Sequence, residues 1–398
     1  MKLAGRLDHI EPFYVMECSK AAQEMDASAL CDPAQGGRPM IYLNVGEPDF
    51  SAPLAVQRAA QACIESGRTQ YTPAIGLPAL RQALSRWYRS HFDLDIEPER
   101  IVITAGASGG LQLVCQALFE RGDEVLMPDP CYPCNRHFVA AADAHPVLLR
   151  AGAEQRFQLS NAQVQQAWGP ATRGVLLASP SNPTGTSIAP EEMRAIIETV
   201  RARGGVTIVD EIYLGLSYEE RFAHSALALG DDVISVNSFS KYFGMTGWRV
   251  GWLVLPPELV APIEKLAQNL FICASTVAQN AALACFEPTV LPEYEHRRRE
   301  FRARRDYIVP ALQALGLPVP VMPDGAFFAW FDCSAFADSS WDFCFDMMRE
   351  AQVALTPGRD FGQHETQRWV RLSFASSMPD LQEAVQRLAR VLPARHRA

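Results

Sequence analysis

The chain is poor in the features that mark secreted, membrane-bound and nucleic-acid-binding proteins. Residues 1–11 lack the continuous apolar core of a signal peptide, and no later stretch has the roughly 20 apolar residues that a spanning helix needs. A formal net charge of -9 leaves no broad cationic surface for nucleic acid or acidic lipid. The ten cysteines show no framework spacing, and Cys115, Cys273 and Cys285 sit in apolar helical patterns, as reduced core thiols do. Cys131-Tyr132-Pro133-Cys134 has the spacing of a redox or zinc pair, but no second ligand pair lies near it and it opens no thioredoxin-sized unit. The eight histidines show no metal-ligand spacing. Repeats and low-complexity segments are absent. The expectation is a cytoplasmic globular protein, with no metal, no membrane and no nucleic-acid partner.

What is there is a large apolar inventory. At 398 residues, 48% of them hydrophobic, the chain exceeds what one core usually supports, so two or three domains are expected. The densest basic run, from Arg297 to Arg305, alternates with Glu295, Glu300 and Asp306 and reads as a solvated helix face. The tail after Leu392 reads as frayed.

Apolar periodicity predicts helices over residues 12–25, 54–66 and 79–91, a short strand over 41–45, and then alternating strands and helices from 101 to 255. That alternation is the pattern of a mostly parallel, doubly wound sheet. Past a boundary near residues 288–292, a long charged helix and strands near 327–330 and 369–374 give an α+β pattern, read as a second, smaller domain.

Candidate chemistry collects at the ends of the predicted strands, where open α/β sheets bind ligands. Gly106-Ala107-Ser108-Gly109-Gly110 joins a strand to an apolar helix expected over 111–119, a start whose N–H groups can hold an anion. Tyr132, fixed between prolines, offers a flat ring for stacking or a cap on the core. Asn182 follows one buried strand, and Asp210 ends another with Tyr213 three residues on. Asp210 could cap a helix or bind a protonated ring nitrogen. Lys241 lies among Ser238, Ser240 and aromatic rings, with Arg249 eight residues later. Desolvation of such an amine lowers its pKa and frees it to form a Schiff base, while the hydroxyls and the guanidinium suit a phosphate. A plain surface lysine is the alternative. Gly46 closes a turn where backbone can approach a carboxylate, and Arg371, alternating with Trp369 and Ser373 in a strand, reads as an internal ion pair or a carboxylate clamp. The exposed loop at Tyr71 says nothing on its own.

In order along the chain, Gly46-Glu47-Pro48-Asp49-Phe50, Tyr71-Thr72-Pro73, Ser181-Asn182-Pro183-Thr184-Gly185, Asp210-Glu211-Ile212-Tyr213, the Lys241 stretch and Arg371-Leu372-Ser373-Phe374 resemble the class I/II aminotransferases, pyridoxal-phosphate enzymes of fold type I. The resemblance implies a large cofactor-binding domain over residues 49–289 and a small domain over 290–398 joined by the segment 1–48. It implies that Lys241 forms the Schiff base and moves the proton. Tyr132 would stack on the ring, Asp210 would hold its nitrogen, and Asn182 and Tyr213 would bond the ring hydroxyl. Ala107, Ser108, Ser238, Ser240 and Arg249 would hold the phosphate, with Tyr71 reaching the site of a second subunit in a homodimer. Arg371, helped by Gly46 and Asn182, would bind the substrate carboxylate, and the segment around Phe13 and Tyr14 would help close the site.

The reaction implied is amino transfer between an amino acid and a 2-oxo acid. The Gly106-to-Gly110 loop carries no lysine to meet an acidic side chain, which favours a neutral, aliphatic or aromatic donor. A C–S β-lyase or related elimination needs the same residues and is the nearest alternative. An aminotransferase-like regulator would carry an added DNA-binding domain, and the resemblance begins near Pro12, leaving no room for one. Residues 27–39 resemble the family poorly, and their structure is left open.

Overall fold

The computed structural model describes residues 1–396. In chain order, α1 (Tyr14–Asp26) leads to β1 (Ile41–Tyr42), and α2 (Leu54–Glu65) and α3 (Pro78–Phe92) follow. Next come β2 (Ile101–Thr104), α4 (Gly106–Leu118), β3 (Glu124–Asp129), α5 (Pro133–Ala141), β4 (His145–Arg150), α6 (Asn161–Ala167), β5 (Thr172–Ala178), α7 (Pro190–Ala202) and β6 (Val206–Asp210). Then β7 (Val233–Ser238) and β8 (Gly251–Val254) precede α8 (Pro257–Leu270), α9 (Thr276–Leu283) and α10 (Leu291–Ala314). The chain ends with β9 (Phe328–Asp332), α11 (Ser340–Ala351), β10 (Val353–Ala354), β11 (Thr356–Pro357), β12 (Trp369–Ser373) and α12 (Met378–Val391).

Seven strands form one sheet in the order β2-β8-β7-β6-β5-β3-β4. Only β8 runs against its neighbours, β2 and β7; the other pairs are parallel. Strands β2, β7 and β8 are buried along their whole length, as expected where helices cover both faces. The parallel strands release Tyr132, Asn182, Asp210 and Ser238 at one edge. A second sheet, antiparallel in the order β11-β12-β9, places Arg371 opposite Trp330 on one side and Thr356 on the other. Strand β1 pairs parallel with β10, Ile41 opposite Val353, so the start of the chain is sewn to its end.

Several expectations need correction. The strand predicted over 41–45 is regular only at Ile41–Tyr42: the Leu43 N–H still donates to Ala354 of β10, but the Leu43 and Asn44 carbonyls accept from Ser373 and Arg371 instead. Helix α4 begins at Gly106, not at 111, so the glycines lie inside it. They are needed for close packing: a Cβ on Gly110 would come 3.0 Å from Leu253 of β8. The basic run in α10 is not wholly solvated. Arg304 and Arg305 are each 4% exposed, the first holding both oxygens of Asp49 at 2.8 and 2.9 Å and the second holding Glu219 at 3.0 Å. After Leu392 the chain continues as a short 3-10 turn, Leu392–Arg395, in which Arg395 pairs with Asp346 and Glu350; residues 397–398 lie outside the described part. Residues 27–39 form turns with a short 3-10 helix, Pro33–Gln35, capped by Asp32. Among the described residues no helix is long and apolar enough to cross a membrane.

Candidate active site

A cavity of about 440 Å³ opens at the strand edge, and Gly46, Ala107, Ser108, Tyr132, Asn182, Asp210, Tyr213, Ser238, Ser240, Lys241, Arg249 and Arg371 all line it. Twelve of the thirteen residues singled out in the sequence thus meet in one place. Tyr71 does not; it is 83% exposed on the outer surface of the same chain.

Lys241 follows β7 by three residues, and its amine donates to the Gly46 carbonyl at 2.6 Å. Burial outweighs the nearby Glu47 carboxylate, and Arg371 and Arg249 add repulsion, so its pKa falls from 10.5 to about 8. An amine so placed is neutral in a useful fraction of molecules near neutral pH. The plain surface lysine is therefore excluded.

Asp210 faces the same cavity from the end of β6 and is 5% exposed. One carboxylate oxygen accepts from the Ile212 N–H at 3.1 Å. Burial raises its pKa to about 6, partly countered by the Ile212 N–H, the Asn135 side chain and Lys241. A buried carboxylate with no ion pair among the described residues is costly, and a protonated ring nitrogen would suit it as a partner.

At the other end of the cavity, Ala107 and Ser108 stand in the first turn of α4, where backbone N–H groups have no partner within the helix. The Ser238 hydroxyl donates to Ser240 Oγ at 2.8 Å and accepts from the Ser240 N–H at 3.1 Å. Arg249 adopts φ +52, rare for a side chain of its size, and is anchored to the Thr246 carbonyl at 3.0 Å. Its guanidinium lies so close to Gly106 that a Cβ there would come within 2.5 Å of it. Helix N–H groups, two hydroxyls and a fixed guanidinium form a phosphate-sized cradle.

Arg371 is 2% exposed and its partners are all uncharged: Asn182 Oδ1 at 2.9 Å, the Asn44 carbonyl at 2.6 Å and Thr356 Oγ1 at 3.4 Å. Its Nε has no partner among the described residues, and Phe328 and Phe361 lie against its guanidinium at 4.6 and 4.9 Å. Burial lowers its pKa to about 10. The internal ion pair that the sequence allowed is not formed, which leaves the charge for a ligand carboxylate. Because Asn182 gives its oxygen to Arg371, its amide nitrogen remains for a ring oxygen. Tyr213, whose ring stands edge-on to Phe327 and Phe328, supplies a phenol held protonated by burial. Tyr132 precedes α5 and meets Phe13 edge-on at 6.3 Å.

These residues fit pyridoxal phosphate: an amine for the aldehyde, an acid for the ring nitrogen, donors for the ring oxygen and a cradle for the anion. Sequence reasoning missed Val15, Met16 and Ser19, which α1 presents to the cavity, and Val45, Glu47 and Thr246 at its rim. Periodicity in α1 marked a helix but not which side faced a ligand. Asn44 acts through its carbonyl, which no residue type could have signalled.

The chain matches the family described as aminotransferase class I and II over residues 38–388. It is 36% identical over 386 residues to the valine–pyruvate aminotransferase of Mycobacterium tuberculosis, covering 97% of each chain. It is 32% identical over 404 residues to the aspartate aminotransferase of Geobacillus stearothermophilus, covering 99% of this chain and 100% of that one. Among solved structures, an aminotransferase from Mycobacterium tuberculosis superposes with a TM-score of 0.93 at 35% identity, covering 99% of this chain and 100% of that one. The aspartate aminotransferase of Thermus thermophilus with maleate does so at 0.90 and 31% identity, covering 98% and 100%. With the motifs gathered round one cavity and likeness along nearly the whole length, this chain belongs to the class I and II aminotransferases, pyridoxal-phosphate enzymes of fold type I.

Proposed function

We propose that this aminotransferase takes a neutral amino donor, aliphatic or aromatic, and that Lys241, Asp210 and Arg371 divide the work of the site. The observation that carries the reading is the cavity's set of cations. Among the described residues lining it these are Lys241, Arg249 and Arg371. With the amine, the phosphate and the α-carboxylate provided for, no cation among this chain's described lining residues is left for a second carboxylate. Phe13 and, from α1, Val15, Met16 and Ser19 line one side of the cavity, a mostly apolar surface that suits an apolar side chain. The name of the Mycobacterium tuberculosis relative, for valine and pyruvate, agrees with this; the names of the aspartate aminotransferases among its relatives do not.

The chemistry supplied by bound pyridoxal phosphate is an aldehyde that condenses with amines and a ring that withdraws electrons. Everything else falls to the protein. Arg371 and the Asn182 amide would fix the donor by its carboxylate and so orient its Cα. Lys241 would take the Cα proton and give it back across the transfer, and its lowered pKa suits both directions. Asp210 would hold the ring nitrogen, and Ala107, Ser108, Ser238, Ser240 and Arg249 would hold the phosphate. Tyr132 would offer its ring for stacking, while Asn182 and Tyr213 would bond the ring oxygen. Gly46 accepts from the Lys241 amine at 2.6 Å and brings its backbone to the carboxylate end.

Exposed Tyr71 supports a homodimer in which that phenol completes the partner's cradle. The pairing of β1 with β10 supports a division into residues 49–289, holding the cofactor, and 290–398 joined by 1–48. The ten free cysteines are in keeping with a cytoplasmic protein.

A panel of amino donors with a 2-oxo acid acceptor tests the reading. Valine-like or aromatic donors should exceed aspartate in kcat/KM by at least about tenfold, the scale of one unpaired charge. Preference for aspartate would overturn the donor class. Pyruvate and ammonia released without amino transfer would mean elimination instead.

A further inference from the structure

Helix α1 lines part of the cavity with Val15, Met16 and Ser19, and it has no side-chain cap of its own. Its first two N–H groups, of Tyr14 and Val15, instead donate to the two carboxylate oxygens of Asp360, at 3.1 and 3.0 Å, from the far end of the chain. Asp360 is 1% exposed. Its neighbour Arg359 lies over the Tyr14 ring, its guanidinium carbon 4.0 Å from the centroid. Arg136 of α5 donates to the Asp360 carbonyl at 3.2 Å and to the Glu11 carboxylate at 3.1 Å, tying down the chain just ahead of the helix.

The turn that carries Asp360 also touches Arg371. Thr356 pairs with Arg371 in the ladder and accepts from its guanidinium, Phe361 lies against the same group, and the negative charge of Asp360 helps to offset Arg371's. One six-residue span therefore contacts both the carboxylate-binding arginine and the wall facing the donor's side chain.

We propose that Asp360 is a positioning residue for the amino donor, fixing the α1 wall of the pocket in register with Arg371. It touches neither donor nor cofactor and acts through the first turn of α1, which sets Phe13, Val15 and Met16. This rests on the reading above that the cavity binds an amino acid. Charged hydrogen bonds to helix N–H groups are among the stronger single contacts in a protein, and their loss should be felt by binding more than by the proton transfer at Lys241.

The test uses the cofactor-loaded enzyme and two variants. Asp360→Asn removes the charge but keeps the shape. Tyr14→Pro removes one donor at a helix position that accepts proline and leaves Asp360 in place, so it serves if the buried variant folds poorly. In each, KM for the preferred donor should rise about tenfold with kcat within about twofold of the parent, and amide exchange should quicken in the first turn of α1 alone. An unchanged KM in Tyr14→Pro overturns the proposal, as does exchange that quickens evenly along the chain or a fall in kcat at constant KM. If the parent enzyme transfers no amino group from any donor, the functional reading fails first and this inference with it. Turnover by the parent with a flat KM in both variants sinks the inference alone.

Discussion

At the scale of single residues, the site depends on how burial changes the acids and bases that the sequence placed. The sequence marked Lys241 by its aromatic and hydroxyl neighbours and Asp210 by its place at the end of a buried strand, though each pattern also admitted another reading, a surface lysine and a helix cap; both line the cavity. What could not be read was the extent of each shift, which depends on which atoms desolvate the group. Arg371 shows the difference. Its strand pattern admitted an ion pair, whereas the fold surrounds it with Asn182, Asn44 and Thr356 and spares its charge. The lowered pKa of Lys241 has a direct consequence for cofactor capture. Only the neutral amine attacks an aldehyde, so below its pKa of about 8 the fraction able to react falls roughly tenfold per pH unit. Stopped-flow mixing of cofactor-free protein with pyridoxal phosphate should show a rate that climbs with pH and levels off above about 8. A plateau reached only near the ordinary lysine value of 10.5 would show that the amine is not desolvated.

At the scale of elements, the strand ends and the start of α4 build the cradle. The glycine cluster announced a turn, but it was read as preceding the helix when it lies within it. The reason is packing: glycine at 110 lets α4 approach Leu253, and Gly106 at φ +71 leaves space for the Arg249 guanidinium. Gly106→Ala should therefore push Arg249 aside and strain the backbone, at a cost of about 1–3 kcal/mol. Affinity for pyridoxal phosphate should fall about tenfold or more while the Lys241 amine remains reactive toward the phosphate-free aldehyde pyridoxal. Equal losses for both compounds would place the damage elsewhere. In α10 the charge alternation hid two buried arginines, because a helix seen as a sequence does not reveal that Asp49 and Glu219 wait on its inner side.

At the scale of the whole molecule, alternation of strands and helices was enough for a mostly parallel sheet, which has seven strands, since buried parallel strands are continuous apolar runs. The antiparallel insertion of β8 between β2 and β7 was not legible, because strand order depends on contacts far apart in sequence. The same holds for Asp360, whose partners are about 345 residues away. Tyr71 raises the question of assembly. If its phenol serves a neighbour's cradle, sedimentation should give twice the mass of one chain. Mixing Tyr71→Ala with Lys241→Ala protein should then recover activity that neither has alone, because one site of each mixed pair regains both groups. A monomer, or a mixture no more active than its parts, would contradict shared sites.

The central claim concerns one amine, and the chain has only four lysines with which to confuse it: Lys2, Lys20, Lys241 and Lys265. Borohydride reduction of the protein loaded with pyridoxal phosphate, followed by peptide mass mapping, should find the cofactor fixed to Lys241 and nowhere else. A stable adduct on another lysine, with Lys241 unmodified, would contradict the account.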